Sequence, residues 1–319
     1  MRSEPHGIRA LGLGLLALLA TAGPLAASSG PTVAIVTSSR VGPFETASRA
    51  ISDVLSADPR QPEVLTFDLE GERSRAPEVL AAVRRANPQL IVTVGSLATA
   101  VALGEPAQRT PLVFSMVLYP RQSEFLSDEK RPVTGIALDV PLDTQLDYVR
   151  RLVPQARRLG VLYHRAETGL VVEAVRRQAP AHGLSLVARE VEQPAGAVAA
   201  LGELMEEVDV VWSVADSHVF TPQTTSALIL AALRRRVPLL GLSTAHVRSG
   251  ALATLYCDYE DVGRQTGELV LRVLDGARPE DIPVAGPRKV GVALNLRTAQ
   301  HLGLDVSPTL VGEAGEVVR

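Results

Sequence analysis

Past residue 30 the chain alternates between two hydrophobic rhythms. TVAIV (32–36), EVLTFDL (63–69), LIVTV (90–94) and PLVFSMV (111–117) are short, β-branched and apolar, and they read as strands. Between them, residues 44–56, about 76–86 and the stretch starting at Ser96 carry apolar residues at helical spacing. Apolar runs separated by helices predict a parallel sheet covered on both faces. VTGIALDVPLD (133–143) reads as a connecting strand and turn, after which the rhythm restarts. Helices are predicted over 144–152, 168–182 with Gly183 as the stop, 195–206 and 221–235, and strands over 158–164, 185–191, 209–215, 237–242 and 251–257. The remainder is less regular: a helix over 259–276, interruptions at Pro279 and Pro283, a strand over 289–295, a short helix over 297–303 and a tail with one further turn or two. Two series in tandem predict an α/β protein of two similar lobes.

The first 28 residues follow neither rhythm. Arg2 and Arg9 precede the apolar run LGLGLLALLA (11–20), and small residues follow in TAGPLAASSG. That order describes a secretory signal peptide over 1–28, cleaved near Ala27 or Ser28, with an apolar middle too short to span a bilayer. Its loose G-x-G-x-x-A match (12–17) lies in no βαβ unit and carries no nucleotide-binding meaning. Removing Arg2, Arg9 and Glu4 takes the formal net charge from −3 to −4.

The 46% hydrophobic and 21% charged composition suits globular lobes with cores of their own. Interspersed charge excludes a nucleic-acid surface, and the Arg234-Arg235-Arg236 run suits a helix C-terminus. The one cysteine, Cys257, allows no intrachain disulfide, stands far from the cleavage site where a lipid anchor would need it, and reads as a packed thiol. The expected location is therefore a periplasm, without a lipid anchor.

In open parallel sheets, ligands bind beyond the carboxyl ends of the strands. That rule selects Ser38 and Ser39, then Gly95 and Ser96, then Ser115 to Tyr119 in the first lobe. In the second it selects Glu167 and Thr168, Asp216 and Ser217, and Thr244, with Asp258 after ATLYC. Hydroxyls dominate, as suits a solute held by neutral hydrogen bonds. A helix opening at Ser96 offers free N–H groups to an anion, or Ser96 simply caps it; both roles can coexist. Asp216 can accept from a ligand or cap a helix, Glu167 can line the site or stand in solvent, and Asp258 is equally open between cap and ligand. Aromatic residues, only 3% of the chain, fall near strand ends at Phe114, Tyr119, Tyr163, Trp212 and Tyr256, as expected of a cleft for a flat ligand or simply of strands.

Catalytic constellations are missing. GLSTA (241–245) lacks the second glycine of a nucleophile elbow, no phosphate-binding loop occurs, and no two histidines have the i, i+4 spacing of a metalloprotease helix. Asp216 and His218 have no evident third partner for a metal. No enzyme, cofactor or metal site is expected.

IVTVGSLATAVAL, VTGIALDVPLDTQLDYVRRLVPQARRLGVLYHRAET, VDVVWSVADSHVFT, VRSGALATLYCDYEDVGRQTGELVLRVLDGARPEDIPV and VALNLRTAQHLGL together resemble the ABC transporter substrate-binding family, whose better-known members bind aromatic amino acids. The resemblance spans about 31–315. It implies a type-I periplasmic binding fold: two Rossmann-like lobes with parallel sheets joined by a three-crossover hinge. By this mapping lobe 1 covers 30–138 plus 257–280 and lobe 2 covers 139–256 plus 281–319. It further implies an exported monomer that captures a small solute, such as an amino acid or related carboxylate, and delivers it to an ABC permease in the inner membrane. Ser96, Glu167 and Asp216 fall on the family's cleft loops. One departure stands out: an Asp-Pro pair frequent after the family's fourth strand is here LYPR, so Tyr119 replaces an acid that would partner a ligand ammonium, which speaks against an amino acid, and Arg121, which follows, would instead favour an acidic ligand. The alternative function is a ligand-sensing partner of a membrane receptor kinase.

Overall fold

The computed structural model describes residues 30–105, 109–121, 123, 125–126 and 131–319; the expected export segment, 1–28, lies outside them. The first sheet is built from β1 (Thr32–Thr37), β2 (Glu63–Asp68), β3 (Leu90–Val94), β4 (Leu112–Val117) and β5 (Val133–Ala137) in the order β2-β1-β3-β4-β5. Every pairing in it is parallel. Its helices are α1 (Gly42–Ser56), α2 (Ala76–Ala86) and α3 (Ser96–Leu103). β3 and β4 are buried along their whole length, which is why they read as unbroken apolar runs.

The chain then passes to the second sheet. α4 (Leu142–Leu152), β6 (Arg158–Tyr163), α5 (Arg165–Gln178), β7 (Ser185–Glu190), α6 (Ala197–Leu204), β8 (Val210–Trp212), α7 (Thr225–Arg235), β9 (Leu239–Leu240), α8 (Thr244–Arg248) and β10 (Ala253–Cys257) follow in order. α9 (Tyr259–Leu274) returns to the first sheet, sharing a core with α1 and β1 through Ile51, Val270 and Ile35. β11 (Val290–Asn295), α10 (Leu296–Leu302), α11 (Pro308–Glu313) and β12 (Glu316–Val318) complete the second sheet, whose order is β12-β11-β10-β9-β8-β6-β7. Only the β10–β11 pairing is antiparallel. The chain thus crosses between the sheets three times: after β5, after β10 and after α9. The last crossing runs beside β5, where Ala137 N–H donates to Ala285 at 2.8 Å.

α9 packs unusually close to α1. A Cβ on Gly263 would stand 2.4 Å from the Ala47 carbonyl oxygen, so glycine is what lets the two backbones meet. This contact holds α9 on the first lobe even though β10 and β11, which flank it in the chain, belong to the second sheet.

Most element boundaries agree with the hydrophobic pattern. The exceptions lie in the second lobe: β8 and β9 are shorter than predicted, α8 was not foreseen, and the tail closes as β12 against β11. Beyond β8 and β9, Ser213 N–H still donates to the Leu240 carbonyl at 3.2 Å and Gly241 N–H to the Ala253 carbonyl at 2.8 Å before the chain turns into its loops.

Candidate functional site

The loops after the parallel strands face each other across a cleft between the sheets. On the first-lobe side, α3 begins at Gly95, whose φ of +91° places it where side chains are strained. A Cβ there would also stand 2.5 Å from Ser38 Oγ. That hydroxyl accepts the Ala98 N–H at 3.0 Å, so Ser38, reaching from the end of β1, caps the helix. Ser96 is left exposed at the start of α3, on the cleft wall.

The cleft has two compartments. An outer one of about 760 Å³ is bounded by Arg73, Ser96 and Phe125 from the first lobe and Glu167, Thr168 and Leu170 from the second. An inner one of about 170 Å³ lies against the crossovers, with Asp139, Gln145, Tyr148, Trp212, Leu255 and Tyr259 among its walls. Leu118, Tyr119 and Ala215 border both.

Tyr119 is the partition. It follows β4, where the register slips between Ser115 and Val117, and its own φ is +50°. Its N–H donates to Asp139 Oδ1 at 2.8 Å. The Ala215 backbone amide hydrogen-bonds its phenol oxygen, and burial pushes that phenol well above its ordinary pKa. A first-lobe residue thus packs against the second lobe's core.

Behind it the walls are fixed. Trp212 Nε1–H donates to Gln145 Oε1 at 2.9 Å, and Gln145 Nε2 donates to the Val140 carbonyl at 2.7 Å, which locks both side chains. Tyr148 is 5% exposed, and its buried hydroxyl has no hydrogen-bond partner among the described residues. Burial raises the Asp139 carboxyl above its ordinary value, against the lowering pull of the Tyr119 N–H. The Cys257 thiol, pushed up to about 12 by burial, rests 3.2 Å from the Leu138 carbonyl and is packed, not reactive.

Several residues selected from the sequence have structural roles instead. Ser115 is fully buried and shares a 2.8 Å hydrogen bond with Thr266 of α9, because its position in β4 faces that helix and not the cleft. Asp216, 2% exposed, accepts from His164 N–H at 2.7 Å, Thr168 Oγ1–H at 2.5 Å, His218 N–H at 2.9 Å and Val219 N–H at 3.2 Å. Both its oxygens are engaged, so it staples the β6 and β8 loops together and has little left for a ligand. Thr168 spends its hydroxyl on that staple. Asp258 caps α9, accepting from Glu260 and Asp261 N–H at 3.1 Å each. Thr244 opens α8, which Ser243 caps at 3.3 Å; its neighbour Leu242 is the residue on the inner wall. Ser39 borders a separate depression beside Arg40 and Asp68.

Glu167 stays on the cleft wall. It accepts from Ser217 N–H at 2.9 Å and Ser217 Oγ–H at 2.8 Å, and bonds His218 Nδ1 at 3.0 Å. The His218 ring stacks on His164 with centroids 3.8 Å apart. Donor atoms of Glu167, Asp216 and His218 lie within 4.8 Å of one another, but the saturated Asp216 makes this a hydrogen-bond cluster.

Asp139, Gln145 and Tyr148 were not among the residues selected from the sequence. The strand-end rule cannot find them, because they lie on the first crossover and on α4.

Comparison with known proteins decides the family. The profile described as ABC transporter substrate binding protein matches residues 63–318. This chain belongs to that family. Substrate-binding proteins of ABC transporters bind solutes and are not enzymes. A tyrosine-binding protein of Clostridioides difficile is 25% identical over 199 residues, 61% of this chain and 57% of the relative, so the match spans little more than half of that relative. Among solved structures, the ABC domain from Streptococcus pneumoniae in complex with L-Trp superposes with TM-score 0.70 at 23% identity, covering 91% of this chain and 100% of that one. A ligand-free, open substrate-binding protein with adhesive properties from Clostridium difficile gives 0.74 at 18% identity, covering 91% and 99%. These structures share the fold of this substrate-binding protein: two lobes with mostly parallel sheets, of the type-I periplasmic binding class.

Proposed function

We propose that this substrate-binding protein is exported through its N-terminal segment, captures one small solute with a flat, apolar body between its lobes, and delivers it to an ABC permease. Lobe 1, residues 30–138 and 257–280, and lobe 2, residues 139–256 and 281–319, close about the three crossovers. An aromatic amino acid or a close relative is the favoured class. The observation that carries this reading is the divided cleft, lined from both lobes, with Trp212, Tyr148 and Tyr119 around an inner chamber. Ser96, Tyr119 and Glu167 supply the polar contacts at its mouth, and closure is driven by contacts the solute makes only with the closed form.

A ligand that binds only the folded protein must raise its melting temperature. Screening the processed protein against a metabolite library should give a saturable rise with one or a few related solutes. Native mass spectrometry of gently purified protein should show a one-to-one adduct of the same mass. A folded, ligand-free protein that responds to nothing would defeat the reading.

A further inference from the structure

We infer that the inner chamber is an ammonium pocket: Asp139 anchors the cationic end of an amine-bearing solute among the rings of Trp212, Tyr148 and Tyr119. This deepens the reading above and rests on it.

Asp139 is the only charged side chain among the described residues that line the chamber. It makes no ion pair among the described residues. One of its oxygens accepts the Tyr119 N–H, its own backbone N–H also hydrogen-bonds the carboxylate, and no side chain among the described residues donates to it. Arg121, whose charge attracts the Asp139 carboxylate without pairing with it, lines a neighbouring depression that Asp139 also borders, and it does not line the chamber. A half-buried carboxylate with no ion-pair partner is costly, and a cation arriving with the ligand offsets that cost. The surrounding rings add to this, since their faces attract ammonium groups and do so more strongly where water is excluded. The Tyr148 hydroxyl, buried without a partner, is a second unused polar group in the same walls. Trp212 cannot turn away, because Gln145 holds its N–H. An anionic group would meet Asp139 at close range with no compensating cation in the chamber. A carboxylate on the same solute is accommodated only in the outer compartment, near Ser96 and Arg73.

Trp212 is the sole tryptophan of the chain, so its emission reports on this chamber alone. The test uses the folded, ligand-free protein with three probes that share one ring: phenethylamine, L-phenylalanine and 3-phenylpropionate. Melting temperature and Trp212 emission should respond to the amine or the amino acid at millimolar concentration and not to the carboxylate. Asp139→Asn keeps an acceptor for the Tyr119 N–H while removing the charge. It should weaken the cationic probes by about thirtyfold or more. Its unliganded melting temperature should equal or exceed that of the wild type, because a half-buried charge without an ion-pair partner has been removed. Undiminished amine binding by Asp139→Asn, or a carboxylate response as strong as the amine's, overturns the assignment. So does silence towards both cationic probes. A co-purified solute that carries no ammonium group overturns the ammonium pocket while leaving solute capture standing. A folded protein that binds neither the probes nor any library member takes both down.

Discussion

The residues at the cleft divide into those buried in its loops and those that stand open on its wall, and burial separates them: Asp216 is 2% exposed, whereas the Glu167 carboxylate, although bonded to Ser217 and His218, remains accessible. Asp216 has four protein donors and is a loop staple. Asp216→Asn should therefore cost about 2–4 kcal/mol of stability in urea unfolding, since donors to a buried carboxylate lose their acceptor. Glu167→Gln, in a half-open position, should cost much less and should instead alter solute affinity, measured by calorimetric titration; equal destabilisation by both would contradict the division. Ser38→Ala should lower stability by about 1 kcal/mol through the lost cap on α3, with solute affinity changed little. Sequence reading found most of the loops that line the cleft because the strand-end rule is geometric. It left the role of Asp216 open between cap and ligand, because two of its four donors are local and the deciding two come from 48 and 52 residues away. Ser115 illustrates the other limit. In a strand buried on both faces every position is apolar or small, so no alternation tells which face a serine takes.

At the scale of elements, the pattern was legible wherever a segment buries its own periodic face. α2 (76–86) and β3 (90–94) have the boundaries expected from the sequence. What the pattern could not show was which lobe claims α9, since its periodicity is the same on either sheet; the close approach at Gly263 and the apolar contacts around it decide. Gly263→Ala forces a Cβ against the Ala47 carbonyl, which cannot move without shifting α1. The expected loss is about 1–3 kcal/mol, read as a lower urea midpoint at unchanged slope. α4 is tied in another way. The His182 ring, at the end of the turn after α5, contacts Asp143 at 3.1 Å and Asp147 at 2.7 Å. The hydrogen bond that its ring donates to the Asp143 carboxylate, helped by Asp147, raises the His182 pKa above its ordinary 6.5. A raised folded-state value means that the stabilisation is complete below the unfolded value and is lost as pH rises through the folded one. The melting-temperature gap between wild type and His182→Gln should therefore be wider in mildly acidic than in mildly alkaline buffer; a gap that grows with pH would contradict the strap.

At the scale of the molecule, two α/β lobes are joined only by three short crossings, and the cleft between them is bridged at Tyr119. The two-lobe architecture was legible because the strand–helix rhythm restarts after residue 143. Part of the inner chamber was legible, since Tyr119, Trp212 and Tyr256 stand at strand ends, but Asp139, Gln145 and Tyr148 were not, because they lie on the first crossing and on α4, outside the strand-end rule. Solute capture by lobe closure is the central claim, and the distance across the outer cleft tests it most directly. Nitroxides attached at Glu72→Cys in the first lobe and Glu173→Cys in the second occupy exposed positions, and the native thiol of Cys257 is buried. Electron–electron double resonance between them should give a broader, longer distribution for the empty protein. Saturating solute should replace it with a shorter, narrower one. An identical distribution with and without bound solute would contradict capture by closure.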